Sequence, residues 1–477
     1  MTLDFLSESK RSLYLNPQVM VLAIDAMLVM LGFGLISPSL SFYLIALEGG
    51  IDEPPGPGYM VPPEVVAEFS LILGVMMAAF MATRTLLARY WGGVSDEHGR
   101  KPLLIAGLTG YVILLLLFGL ARNWIHLILI RAFQGAVSAS VWPVAQAALM
   151  DIVGHERRGE GLGLYMVVSN VGFIIGPGVG GLLYNFCRDT LQLTVPNVFR
   201  VPYFIAAALT LPSVILTYII LQETAPGKTD DTIDKLAAVD PASSEPVSEG
   251  IEGPGNVDEI RPHRKTMVHA LYIMSAANGI SLGLGQPLFQ LFLMSKITTD
   301  IGLIGIVISG AGGIGMLLSI PAGRYADSHG RKGLAVYGSL ASRAGFFLLP
   351  LTKNLAQSSS AWIIQGASRA ASQPALRAIQ ADIVPWKLRG KLFGTIQACF
   401  NAGATIGPLA GGALFSFFSL LTLQFGVFKM DGVVVPFWIA AAVGVFGAFM
   451  LWRYVEETHP VKVAEAEVED DSLTDAT

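Results

Sequence analysis

Charge is what this chain has least of. Only 14% of its 477 residues are Asp, Glu, Lys or Arg, against about a quarter in an average soluble domain. So few charges cannot cover a water-facing surface of this size, which excludes an ordinary soluble enzyme or binding module. Cysteine is nearly missing: Cys187 and Cys399 stand alone in opposite halves and supply neither a disulfide framework nor a thiolate metal site. No cofactor or metal is expected. The net charge of −5 offers nucleic acid nothing to bind. The seven histidines fall in loops, the linker, the tail or helix ends, and no enzymatic constellation is present. The N-terminus, MTLDFLSESKRSLYLNPQ, is amphipathic and lacks a short apolar run with a cleavage site. It reads as a cytoplasmic leader rather than a signal peptide.

What fills the chain instead is apolar: 53% hydrophobic residues, with a mean hydropathy of +0.57. A helix of about 20 apolar residues spans a bilayer. Twelve spans are predicted, at 19–47, 65–91, 102–121, 125–149, 161–184, 201–222, 267–294, 300–321, 333–351, 361–383, 392–420 and 435–455. With both termini inside, and Arg89 and Arg453 at the inner ends of their spans counted there, 20 Lys and Arg fall on the cytoplasmic side, 6 outside and 5 deeper within spans. Positive residues collect inside, so both termini are expected in the cytoplasm. The expected molecule is an all-α, integral multi-pass protein of the cell membrane, plasma or inner, with the lipid bilayer as its main solvent. Residues 223–266 are acidic, rich in Pro, Ser and Gly and poor in aromatics. Such a stretch buries too little apolar surface to fold alone and reads as a flexible cytoplasmic linker. The expected division is a leader (1–18), a six-helix bundle (19–222), the linker (223–266), a second six-helix bundle (267–455) and an acidic cytoplasmic tail (456–477).

The two bundles are related in sequence. At an offset of 231, Asp96 falls on Asp327, Gly135 on Gly366, Pro143 on Pro374, Asp151 on Asp382, Arg158 on Arg389, and Gly176-Pro177 on Gly407-Pro408. In the first span of each half, Gly34 and Pro38 match Gly283 and Pro287 at an offset of 249. Repeats of this size mark transporters whose halves rock about a midplane site.

Between the second and third spans the chain reads Gly92-Gly93-Val94-Ser95-Asp96-Glu97-His98-Gly99-Arg100-Lys101. Between the eighth and ninth it reads Gly323-Arg324-Tyr325-Ala326-Asp327-Ser328-His329-Gly330-Arg331-Lys332. The first Gly admits a close neighbour, and an Asp is favoured at a helix N-terminus. Gly99 permits a tight turn, and Arg-Lys anchors the loop in the cytoplasm. Gly92, Asp96, Gly99, Arg100 and Lys101, with Gly323, Asp327, Gly330, Arg331 and Lys332, are the candidates for a conformational latch. The fifth span carries Gly163, Gly172, Gly176-Pro177 and Gly180-Gly181; the eleventh carries Gly394, Gly403, Gly407-Pro408 and Gly411-Gly412. Small residues let membrane helices pack closely and proline bends them. Gly172, Gly176, Pro177 and Gly180, with Gly403, Gly407, Pro408 and Gly411, are therefore read as packing and hinge positions.

The doubled loop resembles the signature of the major facilitator superfamily. The Gly-Pro pattern of the fifth span is similar to one in its drug:proton antiporter branch, although its presence in both halves suits a packing device better. Leu31 to Leu40, with Ser41 where a second proline is usual, and Leu127 to Gly135 also resemble that branch. The likeness runs over nearly the whole chain apart from linker and tails. It implies the major facilitator fold: 12 transmembrane helices as two pseudo-symmetric six-helix bundles, working by alternating access. A monomer is expected.

Charges inside a membrane are costly and face a bundle interior or a wet cavity. Here they are Asp25, Arg84, Arg131, Arg343, Arg369 and Arg377. The resemblance implies that spans 1, 4, 7 and 10 line the cavity, and polar stripes at helical spacing agree. The tenth span shows Gln365, Arg369, Ser372, Gln373, Arg377 and Gln380. The fourth offers Arg131, Gln134, Ser138 and Gln146; the seventh, Ser275, Asn278, Gln286 and Gln290; the eleventh adds Gln397, Asn401 and Thr405. Asp25 is the sole carboxylate well inside a span. Desolvation favours a neutral acid and a nearby cation the ionised one, so an acid between these limits can take a proton from one side and release it to the other. Asp25, modulated by Arg131, is the candidate for proton coupling. It stands eight residues past Pro17, so a place near the cytoplasmic headgroups competes with one at the midplane. The arginine excess suits anionic, zwitterionic or neutral substrates better than lipophilic cations. The expected function is proton-coupled efflux, by antiport, of a small amphipathic or anionic/neutral organic solute or drug. A proton symporter or uniporter of a metabolite, or a lipid translocase of the same fold, are the alternatives.

Overall fold

Asn123 and Asn354 occupy equivalent places in the two halves and do the same work. Each lies in extended backbone, and its side-chain oxygen accepts the N–H three residues on, from His126 and Gln357, at 3.0 and 2.9 Å. Each thereby starts a helix by satisfying one of its orphan donors. Asp300 starts another in the same manner, and Asn16 one more by accepting the N–H two residues on, from Gln18. The computed structural model describes residues 15–154, 157–225, 262–384, 386–425 and 428–458. The leader before residue 15, the linker from 226 to 261 and the tail from 459 lie outside the described residues, as does the side chain of Asp96.

The first bundle contains α1 (Pro17–Ile36), α2 (Leu40–Leu47), α3 (Pro63–His98), α4 (Arg100–Gly119), α5 (Trp124–Val153), α6 (Arg158–Asp189) and α7 (Asn197–Ile220). The second contains α8 (Pro262–Phe292), α9 (Ile301–His329), α10 (Lys332–Leu348), α11 (Leu355–Ile383), α12 (Trp386–Phe418) and α13 (Val434–Tyr454). Eleven of these are long and apolar enough to cross a bilayer. The remaining long helix, α11, has 29 residues, ample length, but carries the polar stripe that lowers its hydropathy. It packs between α9 and α10 as a twelfth crossing.

Two departures from the sequence reading have local causes. The first span is two helices, α1 and α2, because Pro38 has no N–H to donate and its ring clashes with the preceding turn. In the second half Pro287 stays within α8, and the irregularity comes later as a π turn, Leu293–Ile297. The fold is also not purely helical. An antiparallel hairpin, β1 (Thr422–Phe425) and β2 (Phe428–Asp431), stands between α12 and α13. Lys296 ties it to the end of the π turn through Asp431 at 2.5 Å.

The halves share one packing scheme. In the first, α1 packs on α6 and α7, α5 on α3 and α4, and α4 on α7; in the second, α8 packs on α12 and α13, α11 on α9 and α10, and α10 on α13. Between halves, α3 meets α12 and α6 meets α9. The Gly-Pro stretches make the tightest of these crossings. A Cβ on Gly176 would lie 2.7 Å from the Gly34 Cα, and one on Gly407 2.8 Å from the Gly283 Cα. Only glycine lets α6 lie on α1, and α12 on α8, at that distance.

Candidate functional site

The bundle has a basic end, where the Gly99 and Gly330 turns lie, and a hairpin end. At the basic end the two Gly-Arg-Lys turns are built identically. Gly99 (φ 100°, ψ 154°) and Gly330 (φ 103°, ψ 157°) adopt backbone that essentially only glycine occupies. The Arg100 guanidinium pairs with Asp151 at the end of α5, and the Arg331 guanidinium with Asp382 at the end of α11. Asp327 stands farther from Arg331, at 3.8 Å. Gly92, expected to admit a neighbouring helix, faces open space in this conformation, and Gly323 meets only the Pro374 Cβ at 3.6 Å.

A further acid completes each turn. The Glu223 carboxylate accepts the N–H groups of Arg100 (2.8 Å) and Lys101 (3.3 Å), while Glu457 accepts those of Arg331 (2.9 Å) and Lys332 (2.9 Å). Each caps a helix start with negative charge. Burial alone would raise the Glu223 carboxyl, but backbone donors from Arg100, Ala225, Thr224 and Lys101 hold it below the usual glutamate value. A Cβ on Gly99 would sit 2.5 Å from the Glu223 Oε2, so this glycine serves both its own backbone and its neighbour's approach. The sequence signal for these acids is a repeat in Gln222-Glu223-Thr224-Ala225-Pro226 and Glu456-Glu457-Thr458-His459-Pro460, at an offset of 234.

The ties between halves lie toward the hairpin end. Ser41 donates to the Gln290 Oε1 (2.6 Å), Gln290 Nε2 to the Ser37 carbonyl (2.8 Å), Asn185 to Asp300 (3.0 Å), and Thr299 to the Gly56 and Tyr59 carbonyls. Deeper in, Ser70 donates to the Gly412 carbonyl (3.0 Å), and Ser309 accepts the Gly178 N–H (2.7 Å). Gly181 lies against Gly302 of α9, and Gly412 against Leu71 of α3. Gly163 and Gly394 precede these two glycines by 18 residues, about five turns, and so occupy the same helix faces near the basic end. Both face open space. Among the described residues, the ties between halves gather toward the hairpin end, and Gly163 and Gly394 near the basic end meet nothing across the seam.

The residues expected in the cavity divide into two groups. Gln286, Arg369, Arg377 and Gln397 are exposed, and Gln373 and Asn401 are half-buried. Polar side chains exposed in mid-helix are costly against lipid. The others are committed within the protein. Gln290 belongs to the hairpin-end seal. Asn278 accepts from the Arg343 Nη2 (2.6 Å) and Ser281 from its Nη1 (3.0 Å), with Gly444 leaving the guanidinium its space. Gln365 is buried against Gly345, and Ser138 is 1% exposed.

Arg131 and Asp25 occupy separate compartments of the first bundle. Arg131, 2% exposed, donates to the Gln134 Oε1 (3.0 Å) and lies over the rings of Phe33, Phe118 and Phe80, 5.3, 5.5 and 5.9 Å from their centroids. Cation–π contact of this kind favours a desolvated guanidinium. Asp25, 5% exposed, accepts from the Thr217 hydroxyl of α7 through Oδ2, while Oδ1 has no partner among the described residues. Beside it is a cavity of about 10 Å³, the scale of one water molecule, with Tyr165 and Trp142 among its walls. Trp142 is eleven residues along α5 from Arg131, roughly 16 Å. Thr217 and Tyr165 carry no signal of their own in the sequence.

A family model described as Major Facilitator Superfamily matches residues 20–256 and 271–475. Among curated proteins, the chain is 25% identical to the multidrug resistance protein MdtG of Proteus mirabilis, over 80% of this chain and 84% of that protein. It is 25% identical to the quinolone resistance protein NorA of Staphylococcus aureus, over 44% of this chain and 46% of that protein, less than half the relative's length. Among solved structures, that of a D-xylose–proton symporter superposes with a TM-score of 0.66 at 14% identity, over 93% of this chain and 99% of that one. This last likeness concerns the fold.

Proposed function

Because the chain belongs to the Major Facilitator Superfamily, a family of membrane transporters, we propose that it is a proton-coupled exporter exchanging protons for a small organic solute or drug. The relatives named for multidrug and quinolone resistance support the outward direction and a bacterial inner membrane. The threefold excess of Lys and Arg at the basic end supports a cytoplasmic placing of that end and of both termini. On this orientation the structure is the inward-open state, with its cleft loaded from the cytoplasm. Closure at the basic end would bring Gly163 and Gly394 against the facing half, as Gly181 and Gly412 already are at the other end.

The observation that carries the coupling is the setting of Asp25. It is the one carboxylate well inside a span, with one hydroxyl donor and one unpartnered oxygen, at the seam of α1 and α7. An acid held this lightly exchanges its proton when the helices around it shift. Arg131 lies in its own aromatic cage, apart from Asp25, so the coupling in this reading rests on Asp25 alone. The Arg100–Asp151 and Arg331–Asp382 pairs, with their Glu caps, set the two turns bearing Asp96 and Asp327 as a latch.

The test uses reconstituted protein with a labelled quinolone and a labelled dicarboxylate as probes. Asp25→Asn is expected to reduce accumulation driven by a pH gradient at least tenfold while retaining exchange of labelled for unlabelled probe without a gradient. Full gradient-driven accumulation by the variant would remove Asp25 from the mechanism.

A further inference from the structure

Three arginines stand inside the second bundle, and no acid accompanies them. The Asp and Glu residues between 262 and 458 are Asp300, Asp327, Asp382, Asp431, Glu456 and Glu457, and each lies at the end of an element or beyond it. Arg343 is held by neutral groups, Asn278 and Ser281. Arg369 and Arg377 have not even that. Among the described residues neither guanidinium has a hydrogen-bond or ion-pair partner, and both residues are exposed. They share a face of α11 with Gln373, at i, i+4 and i+8, within about 80° of arc and about 12 Å of helix axis. The opposite arc carries Ile364, Ala371 and Ala378, a surface suited to lipid. Charge on the first arc therefore belongs to the cleft.

We infer that Arg369 and Arg377 form a two-point site for an organic dianion, a solute with two carboxylate, sulfonate or phosphate groups spread along its length. The inference rests on the alternating-access reading above and names its substrate class. Each guanidinium offers a planar fork that matches such a group with two hydrogen bonds. Gln373, midway, is a neutral donor and acceptor for the connecting part. The open cleft keeps both cations in water. Closing the basic end removes that water and leaves two uncompensated charges at membrane depth, a costly state. A bound dianion cancels both, so the closed form favours a dianion over any other solute. A monoanion leaves one charge stranded, and a lipophilic cation adds a third.

The experiment measures binding to the purified full-length protein in detergent at neutral pH, without a gradient, for straight-chain alkanedioates from succinate to sebacate. Monocarboxylates of equal length and tetraphenylphosphonium are the comparisons. Dianions are expected to bind at least tenfold tighter than monocarboxylates, with an optimum among chains spanning roughly 6–12 Å. Arg369→Gln and Arg377→Gln should each bring the best dianion down to the monocarboxylate level, while Arg369→Lys and Arg377→Lys keep an intermediate affinity, with monodispersity on size exclusion as the check on folding. Equal binding of dianions and monocarboxylates, preference for the cation, or an undiminished dianion preference in the folded Gln variants would overturn the site. If a Gln variant does not fold, its Lys counterpart decides: wild-type affinity there would overturn the role of the guanidinium fork. Binding read without a gradient is independent of Asp25, so a failure of proton coupling leaves this result standing, and the reverse holds too.

Discussion

Asp25 and Glu223 are carboxylates with opposite uses, and the difference lies in how many donors each holds. Glu223 takes four backbone N–H groups and is fixed as an anion. Asp25 takes one hydroxyl and keeps an oxygen free. Replacing Glu223 or Glu457 by Gln removes the charge from a helix start, a loss of about 1 kcal/mol for a cap of this kind. Thermal unfolding of either variant should have a midpoint about 1 °C lower, and an unchanged midpoint in both would argue against the capping role. The pH dependence follows from the lowered Glu223 carboxyl. Its contribution is complete above the ordinary glutamate range and is lost as pH falls through the lower folded value. The Gln variant should therefore lose its deficit relative to wild type only in strongly acidic buffer.

At this scale the sequence was legible where charge is scarce. Asp25 stands out because nothing like it occurs elsewhere in a span. Its partner Thr217 does not, because 192 residues separate them and a lone threonine in an apolar helix carries no sign of which neighbour it will face. Glu223 and Glu457 repeat in sequence, but the acidic composition of 223–266 and of the tail hides them among solvated charges. The separation of Arg131 from Asp25 is a matter of depth along two antiparallel helices, which span assignments alone do not give.

The helices owe their closest approaches to glycine, and those approaches differ in what they serve. Gly176 rests on Gly34 within one half, so Gly176→Leu should prevent α6 from seating on α1 and abolish the monodisperse folded protein. Gly163 and Gly394 touch nothing here yet share faces with Gly181 and Gly412, which already meet the other half. Gly163→Leu and Gly394→Leu should fold and bind probe normally while turnover falls at least tenfold, because closure at the basic end is obstructed. Normal turnover in both would mean that these faces do not meet during the cycle. The Gly-Pro stretches are conspicuous in sequence, and Gly176 and Gly407 lie against Gly34 and Gly283. The break at Pro38 and the hairpin at 422–431 were less visible. Proline is tolerated in one first span and not in the other, and a four-residue strand gives too short a pattern to separate from an outer loop.

The whole molecule repeats one packing scheme twice and breaks its symmetry at the charges. Asp25 falls on Met274, Arg131 on Trp362, Arg369 on Ser138 and Arg377 on Gln146. The first bundle thus holds the lone interior acid, and the second holds Arg369 and Arg377. Spin labels placed in pairs across the halves should report this machine directly. Pairs at the basic end should shorten, and pairs at the hairpin end lengthen, when an alkanedioate is added to the purified protein. Movement at one end only would contradict rocking about a central site.

The central claim is exchange of solute for protons, and its most direct measurement is the lumenal pH of proteoliposomes loaded at acid pH. Solutes are added outside, one at a time, from a panel containing a quinolone, an alkanedioate and a lipophilic cation. The account predicts that a transported solute accelerates lumenal alkalinisation in the wild type and has no such effect in Asp25→Asn. Lumenal acidification on adding solute, or solute entry with no proton movement, would contradict it.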